Sequence, residues 1–402
     1  MISLLEMKND FLTYQAQTGK HPLSLKVKSA LGSYVYDLDG KQYLDFIAGV
    51  SANTLGHRPK TVIDAIKKQI DQYMHVMVYG EFIQEPQVEL AKFIGTHLPE
   101  SLSCTYLTNS GTEATEGAIK LAKRITGRYE IIAALNAYHG NTQGSMSVCG
   151  KESQNTAYRP LIPGVQFIEF NNPNELSRIT TSTAAVILET IQGGAGLIVP
   201  KKDYLKKVRT RCDEVGALLI LDEIQSGIGR TGKFFGFQNF NVLPDIIVTG
   251  KGLGGGMPIG AFISSRSNMA YFMDKPKLGH ITTFGGHPVV AAAALATLKT
   301  LFDSNLMEEA LFKEALIRKL LVHPYIEEIR GRGLMLALIL SDTALADKLI
   351  IEAKNRGLLL FWLLYEKKAV RITPPLSISK KEIEKGCQII LNILDDIQFK
   401  RI

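Results

Sequence analysis

The four cysteines among 402 residues, Cys104, Cys149, Cys212 and Cys387, stand far apart, and none belongs to a Cys-x-x-Cys pair or a His/Cys cluster. Neither a metal site nor a disulfide framework is expected, and a reducing, cytoplasmic setting suits the chain. Long apolar runs are missing as well. No stretch reaches membrane-spanning length without polar residues, and the amino terminus carries Glu6 and Asp10 in place of an unbroken apolar core. No membrane association and no targeting segment are expected. Low-complexity tracts and internal repeats are absent, and 46% hydrophobic with 21% charged residues is the profile of a folded globular chain. A concentrated basic stripe is also lacking. The formal charge is +7 from 46 basic and 39 acidic residues, but the pairs Lys67-Lys68, Lys201-Lys202 and Lys206-Lys207 sit apart on helix-period segments. That excludes an extended nucleic-acid surface and leaves an anionic small substrate or cofactor compatible.

What is present points to an α/β protein. The length exceeds what one hydrophobic core usually serves, so a large domain and a smaller one are expected. Between residues 56 and 294, apolar strand-like runs alternate with helix-period segments, the pattern of a mainly parallel sheet covered by helices. The clearest strands are Ile131 to Leu135, Ala185 to Leu188, Ala217 to Leu221 and Ile246 to Thr249, and helices start near Gly111 and Lys202. Tyr34 to Asp37 followed by Asp39-Gly40 reads as a hairpin with its turn. Short strands are expected around Gly331 to Gly333 and Val370 to Ile372. Residues 1–55 and 295–402 together are expected to form the smaller, α+β domain, beside a large domain of 56–294.

In parallel α/β sheets ligands sit beyond the carboxyl ends of the strands. Tyr138-His139-Gly140, Glu189, Asp222-Glu223 and Lys251 follow the four apolar runs. Taken singly, an acid or a lysine after a strand marks where the chain re-enters water. Lys251 has a different setting: Gly250 and Gly252 flank it and Gly254-Gly255-Gly256 follows, so backbone can approach a ligand closely. Two glycine motifs are decoys. Gly227-Ile228-Gly229-Arg230-Thr231-Gly232 fits GxGxxG, but Asp222 to Ser226 separate it from its strand and no helix follows. Gly250-Lys251 lacks the Ser/Thr of a P-loop, and Asp245 stands where its first glycine belongs. Asn109-Ser110-Gly111-Thr112-Glu113 is the better anion site. Ser110 and Glu113 form a capping-box pattern, and Ala114, Ala118, Leu121 and Ala122 hold the helix start against the core with its N–H groups free.

These segments together resemble the class III (ornithine/acetylornithine/4-aminobutyrate) aminotransferases. The resemblance runs over nearly the whole chain, from Asp37-Leu38-Asp39-Gly40 to Pro374-Pro375, through Asn109 to Ala114, Tyr138-His139-Gly140, Leu221 to Gly227, Gly229 to Gly232, Thr249 to Pro258 and Thr283-Phe284-Gly285-Gly286. It implies fold type I, pyridoxal 5'-phosphate (PLP) as cofactor, and a homodimer with shared active sites. By that resemblance Lys251 carries the cofactor as a Schiff base and moves the proton, and Asp222 keeps the pyridine nitrogen protonated. Ser110, Gly111 and Thr112 hold the phosphate, Tyr138 stacks on the ring, His139 of the same motif joins the cofactor set, and Gln225 touches the ring oxygen. Thr283 reaches the phosphate of the neighbouring subunit. Arg371 binds a substrate carboxylate, and Glu189 pairs with that arginine and releases it for the second substrate.

The pattern breaks where many relatives carry an arginine for a substrate carboxylate, because Asn141 stands there. Arg159 is a candidate to substitute. After Glu189 the chain reads Thr190-Ile191-Gln192-Gly193-Gly194, where relatives often have a proline second and an acid after the glycine. The expected reaction is ping-pong transamination between an ω-amino or N-acylated diamino acid, acetylornithine- or ornithine-like, and a 2-oxo acid such as 2-oxoglutarate. The alternatives are a 4-aminobutyrate or other ω-amine aminotransferase and, through Thr112 and Thr115, a glutamate-1-semialdehyde aminomutase-like isomerase.

Overall fold

The computed structural model describes residues 4–78 and 80–399. The amino-terminal segment supplies β1 (Val27–Leu31), β2 (Tyr34–Asp37) and β3 (Gln42–Asp45). β2 and β3 form the expected antiparallel hairpin, with Tyr34 opposite Leu44. The carboxylate of Asp37 closes its turn by accepting the N–H groups of Asp39 at 3.0 Å and Lys41 at 2.9 Å.

The central sheet has seven strands: β4 (Cys104–Thr108), β5 (Glu130–Ala134), β6 (Val165–Ile168), β7 (Thr183–Glu189), β8 (Leu218–Asp222), β9 (Ile246–Gly250) and β10 (Gly260–Ser264). Their spatial order is β4-β10-β9-β8-β7-β5-β6; β10 pairs antiparallel with both β4 and β9, and the other pairs are parallel. The strands read as unbroken apolar runs because both faces are covered; β7 is buried at all seven positions. Alternate residues divide between two cores. Ile187, Ile220, Val248 and Phe262 face the helix Gly111–Thr126, whereas Val186, Leu188, Leu219, Leu221 and Ile247 join the core that includes Leu205, Val208 and Cys212 of the helix Tyr204–Val215. Each such side chain removed from water contributes roughly 1.5–3 kcal/mol, so the sheet is the rigid floor on which the strand ends are held.

All remaining strands come from the carboxyl-terminal part: β11 (Ile326–Arg332), β12 (Met335–Leu340), β13 (Leu358–Leu359), β14 (Phe361–Trp362) and β15 (Ala369–Ile372). β11, β12, β15 and β14 form one antiparallel sheet. β13 instead pairs in parallel with β3, Leu358 opposite Leu44, so the two ends of the chain share the sheet β1-β2-β3-β13.

Candidate active site

The register of the central sheet sets Glu189 and Asp222 side by side at its carboxyl edge, since the last residue of β7 pairs with the last of β8. Lys251 follows β9 directly and adopts a left-handed φ of 42°, strained for a residue with a Cβ. Arg371 comes from the carboxyl-terminal part of the chain, paired on β15 with Ala337 of β12 and Phe361 of β14. These four and Gly111, Thr112, Tyr138, His139, Asn141 and Gln225 line one cavity of about 410 Å³. Of the remaining residues expected at the site, Ser110 caps the helix behind Gly111, and Thr283 is exposed and outside this cavity.

The helix Gly111–Thr126 begins at the cavity wall. Ser110 accepts the N–H of Glu113 at 3.4 Å, but the return arm differs from the expected capping box: the Glu113 carboxylate takes the N–H of Asn109 at 2.7 Å. The first N–H groups of a helix have no partner within it, so those of Gly111 and Thr112 are positioned for an anion. Thr112 turns its hydroxyl to the neighbouring loop and accepts the N–H groups of Asn141 at 3.2 Å and Thr142 at 3.1 Å. Gly140 permits that approach. Its φ is +136°, and a Cβ there would lie 2.2 Å from the Thr112 hydroxyl.

Asp222 is 5% exposed. Its Oδ1 accepts the N–H of Ile224 at 2.9 Å, and its Oδ2 lies 2.7 Å from His139 Nδ1. His139 has no exposed side-chain surface, so its bond to Asp222 orients the carboxylate from behind. Burial disfavours charging this imidazole, but the bond to Asp222 and the nearby Glu189 outweigh it and hold His139 above its ordinary pKa. The His139 N–H donates to the buried thiol of Cys149 at 3.1 Å. Lys251 is pulled below the usual ammonium range, chiefly by burial, with Arg371 adding and Asp222 and Glu189 opposing. Tyr138 keeps 38% of its surface exposed at the cavity, and the Gln225 amide nitrogen is buried there without a partner.

Arg371 is 5% exposed, and its Nε and Nη1 have no hydrogen-bond acceptor. Burial alone lowers its pKa to about 10. Glu189, expected as its partner, makes no ion pair with it among the described residues. The two Glu189 oxygens are committed elsewhere, to the N–H of Tyr138 at 3.1 Å and of Gly193 at 2.9 Å. Burial pushes Glu189 up to about 7, so much of its charge is lost near neutrality. Arg159 does not supply the missing cation either, since it forms a surface pair with Glu152. Phe361, Trp362, Leu364 and Ile191 add an apolar wall, and Val50 reaches the cavity from a turn in which Ala48, Val50 and Ser51 all have left-handed φ. Of these five, only Ile191 was marked in the sequence, as the place where relatives often have a proline.

The profile of the class III aminotransferases matches residues 14–394. The chain belongs to the class III aminotransferases. Acetylornithine aminotransferases are among its relatives: that of Caldanaerobacter subterraneus subsp. tengcongensis is 37% identical over 92% of this chain and 94% of its own. That of Bacillus subtilis is 39% identical over 90% and 93%. The ornithine aminotransferase of Toxoplasma gondii, solved with PLP at partial occupancy in its active site, superposes with a TM-score of 0.92 at 28% identity, covering 100% of this chain and 96% of that one. This class III aminotransferase therefore has fold type I and uses pyridoxal 5'-phosphate. The cavity fits that cofactor: it offers a helix start for a phosphate, an oriented carboxylate for a pyridine nitrogen, a buried amine, and an unpartnered amide at Gln225.

Proposed function

We propose that this aminotransferase transfers the ω-amino group of an ω-amino or N-acylated diamino acid, acetylornithine- or ornithine-like, to a 2-oxo acid, with 2-oxoglutarate as acceptor, in two ping-pong half-reactions. The observation that carries the substrate side is the buried, unpaired guanidinium of Arg371 in the same cavity as Lys251. A planar guanidinium with two free donors suits a carboxylate, and a desolvated cation without a counter-ion favours an anionic ligand strongly. Because Glu189 does not neutralise Arg371, the substrate itself brings the balancing charge in each half-reaction.

Bound PLP supplies the electron sink for deprotonating the substrate carbon. Lys251 would be its covalent tether and, as a free amine, the base that moves the proton at the substrate carbon; burial pulls its pKa below the usual ammonium range, which favours that role. Asp222 holds the proton on the pyridine nitrogen, with His139 keeping it in place. The first-turn N–H groups of Gly111 and Thr112 and the Ser110 cap take the phosphate, Tyr138 covers the ring face, and Gln225 bonds its oxygen. Asn141 and the apolar wall of Phe361, Trp362 and Leu364 contact the far end of the substrate.

We also propose a homodimer that shares its sites, with 56–294 as the large domain and 1–55 plus 295–402 as the small one, acting in the cytoplasm. Support for the dimer comes from Thr283, exposed beside apolar Ile281 and Phe284, and from a groove of about 560 Å³ in which Phe82, Leu278 and Ile281 meet. The reading is tested by mixing holoenzyme with N-acetylornithine, ornithine, 4-aminobutyrate and lysine without acceptor, then adding 2-oxoglutarate. Loss of the cofactor's visible band with one of these amines, and its return with glutamate formed, is the expected result. Product formation with no 2-oxoglutarate consumed refutes it in favour of the isomerase.

A further inference from the structure

We infer that Arg230 is a positioning residue that sets Arg371 at its working distance from Asp222 and Lys251, an assignment that rests on the carboxylate-binding role proposed for Arg371. Arg230 is the largest fully buried side chain among the described residues, 1% exposed; its guanidinium hydrogen bonds go to carbonyls, and Asp45 acts on it only through its charge, without a bond. Its Nη1 donates to two backbone carbonyls, that of Leu334 at 3.2 Å and that of Pro374. Pro374 lies three residues beyond Arg371, and Leu334 directly precedes β12, the strand on which Arg371 pairs through Ala337. One guanidinium therefore grips both strands that present Arg371.

The backbone of the same turn adds a second grip. The carbonyl of Arg230 accepts the N–H of Leu334 at 2.9 Å, and Gly333, with φ +61°, passes so near that a Cβ would lie 2.3 Å from that oxygen. On its other side the turn is anchored to the end of β8. Glu223, next to Asp222, accepts hydrogen bonds from Thr190 and Ser226 and from the N–H groups of Gly236 and Phe237, at 2.6, 2.6, 2.6 and 2.8 Å in the order Thr190, Ser226, Phe237, Gly236. The N–H of Gly227 donates to the Glu223 carbonyl at 3.0 Å, and that of Arg230 to the Gly227 carbonyl at 3.3 Å. A continuous chain of bonds thus runs from the cofactor's acid, through Glu223 and the turn, to the strand of the substrate's arginine.

Stability alone does not ask for this residue. A buried cation bonded only to carbonyls carries a large desolvation cost, and an apolar side chain of similar volume fills such a site at least as well. What the apolar side chain lacks is the directed bonds that fix two strands against a third element.

The test compares holoenzymes of wild type, Arg230→Met, Arg230→Lys, Arg371→Gln and the double variant Arg230→Met/Arg371→Gln, each first checked for its cofactor absorbance and melting midpoint. Two readouts are taken: glutarate affinity by calorimetry, and kcat/KM for N-acetylornithine beside its decarboxylated analogue N-acetyl-1,4-diaminobutane. Arg230→Met is expected to weaken glutarate at least tenfold and raise KM for N-acetylornithine similarly, to leave the analogue within twofold, and to add less than twofold on top of Arg371→Gln. Arg230→Lys, which keeps a cationic donor group on a single nitrogen, falls between and carries the test if Arg230→Met does not fold. Unchanged glutarate binding, equal losses on both donors, or effects that multiply in the double variant overturn the inference. A wild type that turns over no donor with 2-oxoglutarate refutes the proposed reaction, while the glutarate comparison still reads the link from Arg230 to Arg371.

Discussion

Replacing Asp222 by asparagine changes one oxygen to NH2 and leaves the volume alone, which makes it a clean probe of the acid proposed to face the cofactor nitrogen. The introduced asparagine still accepts the Ile224 N–H through its oxygen, so its amide nitrogen faces His139 Nδ1, which lies 2.7 Å from the carboxylate in the native protein. Two donors cannot share that distance. The imidazole must turn a lone pair toward the amide and carry its proton on Nε2, which is buried without an acceptor. The variant therefore converts a histidine held above its ordinary pKa into one that burial keeps neutral. A charge-assisted bond between buried partners is worth roughly 1.5–3 kcal/mol. Loss of the matching bond to the cofactor nitrogen then lowers kcat by roughly 10- to 150-fold, at about 1.4 kcal/mol per factor of ten. The assay pairs steady-state kcat with an NMR titration of the His139 ring. A variant within threefold of wild type, or a His139 that still titrates above its ordinary value, would refute the reasoning.

Borohydride reduction of the holoenzyme followed by peptide mapping is expected to find the cofactor mass on Lys251, and Lys251→Ala to lower turnover by at least about 10²- to 10⁴-fold; cofactor on any other lysine contradicts the tether. Gly140→Ala strains a φ of +136° and drives a methyl into the Thr112 and Ser145 hydroxyls, so a loss of about 2–4 kcal/mol in stability and faster cofactor release are expected by denaturant melting and dialysis. Glu189 has a folded pKa of about 7 against an ordinary value of 4.5. A carboxyl raised on folding stabilises most below 4.5, and that contribution is lost as pH rises towards 7, with a slope of at most about 1.4 kcal/mol per pH unit. Glu189→Gln should flatten the urea stability profile between pH 5 and 7.5, and a profile parallel to wild type counts against the shift.

The central strands were legible because burial on both faces writes them as apolar runs, and β5, β7, β8 and β9 lie within one or two residues of the expected bounds. Asp222 and Lys251 were legible because each ends such a run. The partnership of Glu189 was not, since the donors that hold it, the N–H groups of Tyr138 and Gly193, are backbone groups whose proximity depends on sheet order and loop path. No ion pair joins Glu189 to Arg371 among the described residues, and Arg159 pairs instead with Glu152, seven residues away on the surface. Phe361 and Trp362 read as an ordinary short strand; only the pairing of β14 with β15 brings them to the cavity that Arg371 lines. Val50 depends on a left-handed turn that Ala48 and Ser51 do not announce.

The parallel pairing of β13 with β3 has a consequence during synthesis. Leu44 leaves the ribosome some 300 residues before its partner Leu358, a wait of roughly 15–60 s at usual elongation rates. For that interval the amino-terminal hairpin has one edge open, while the central strands, whose sequence span closes at Ser264, are already complete. The nascent chain thus acquires the floor of the cavity, with Asp222 and Lys251, well before Arg371 emerges. On the proposed roles, cofactor capture can precede substrate selection, because the strand that carries Arg371 is the last of the fold to arrive.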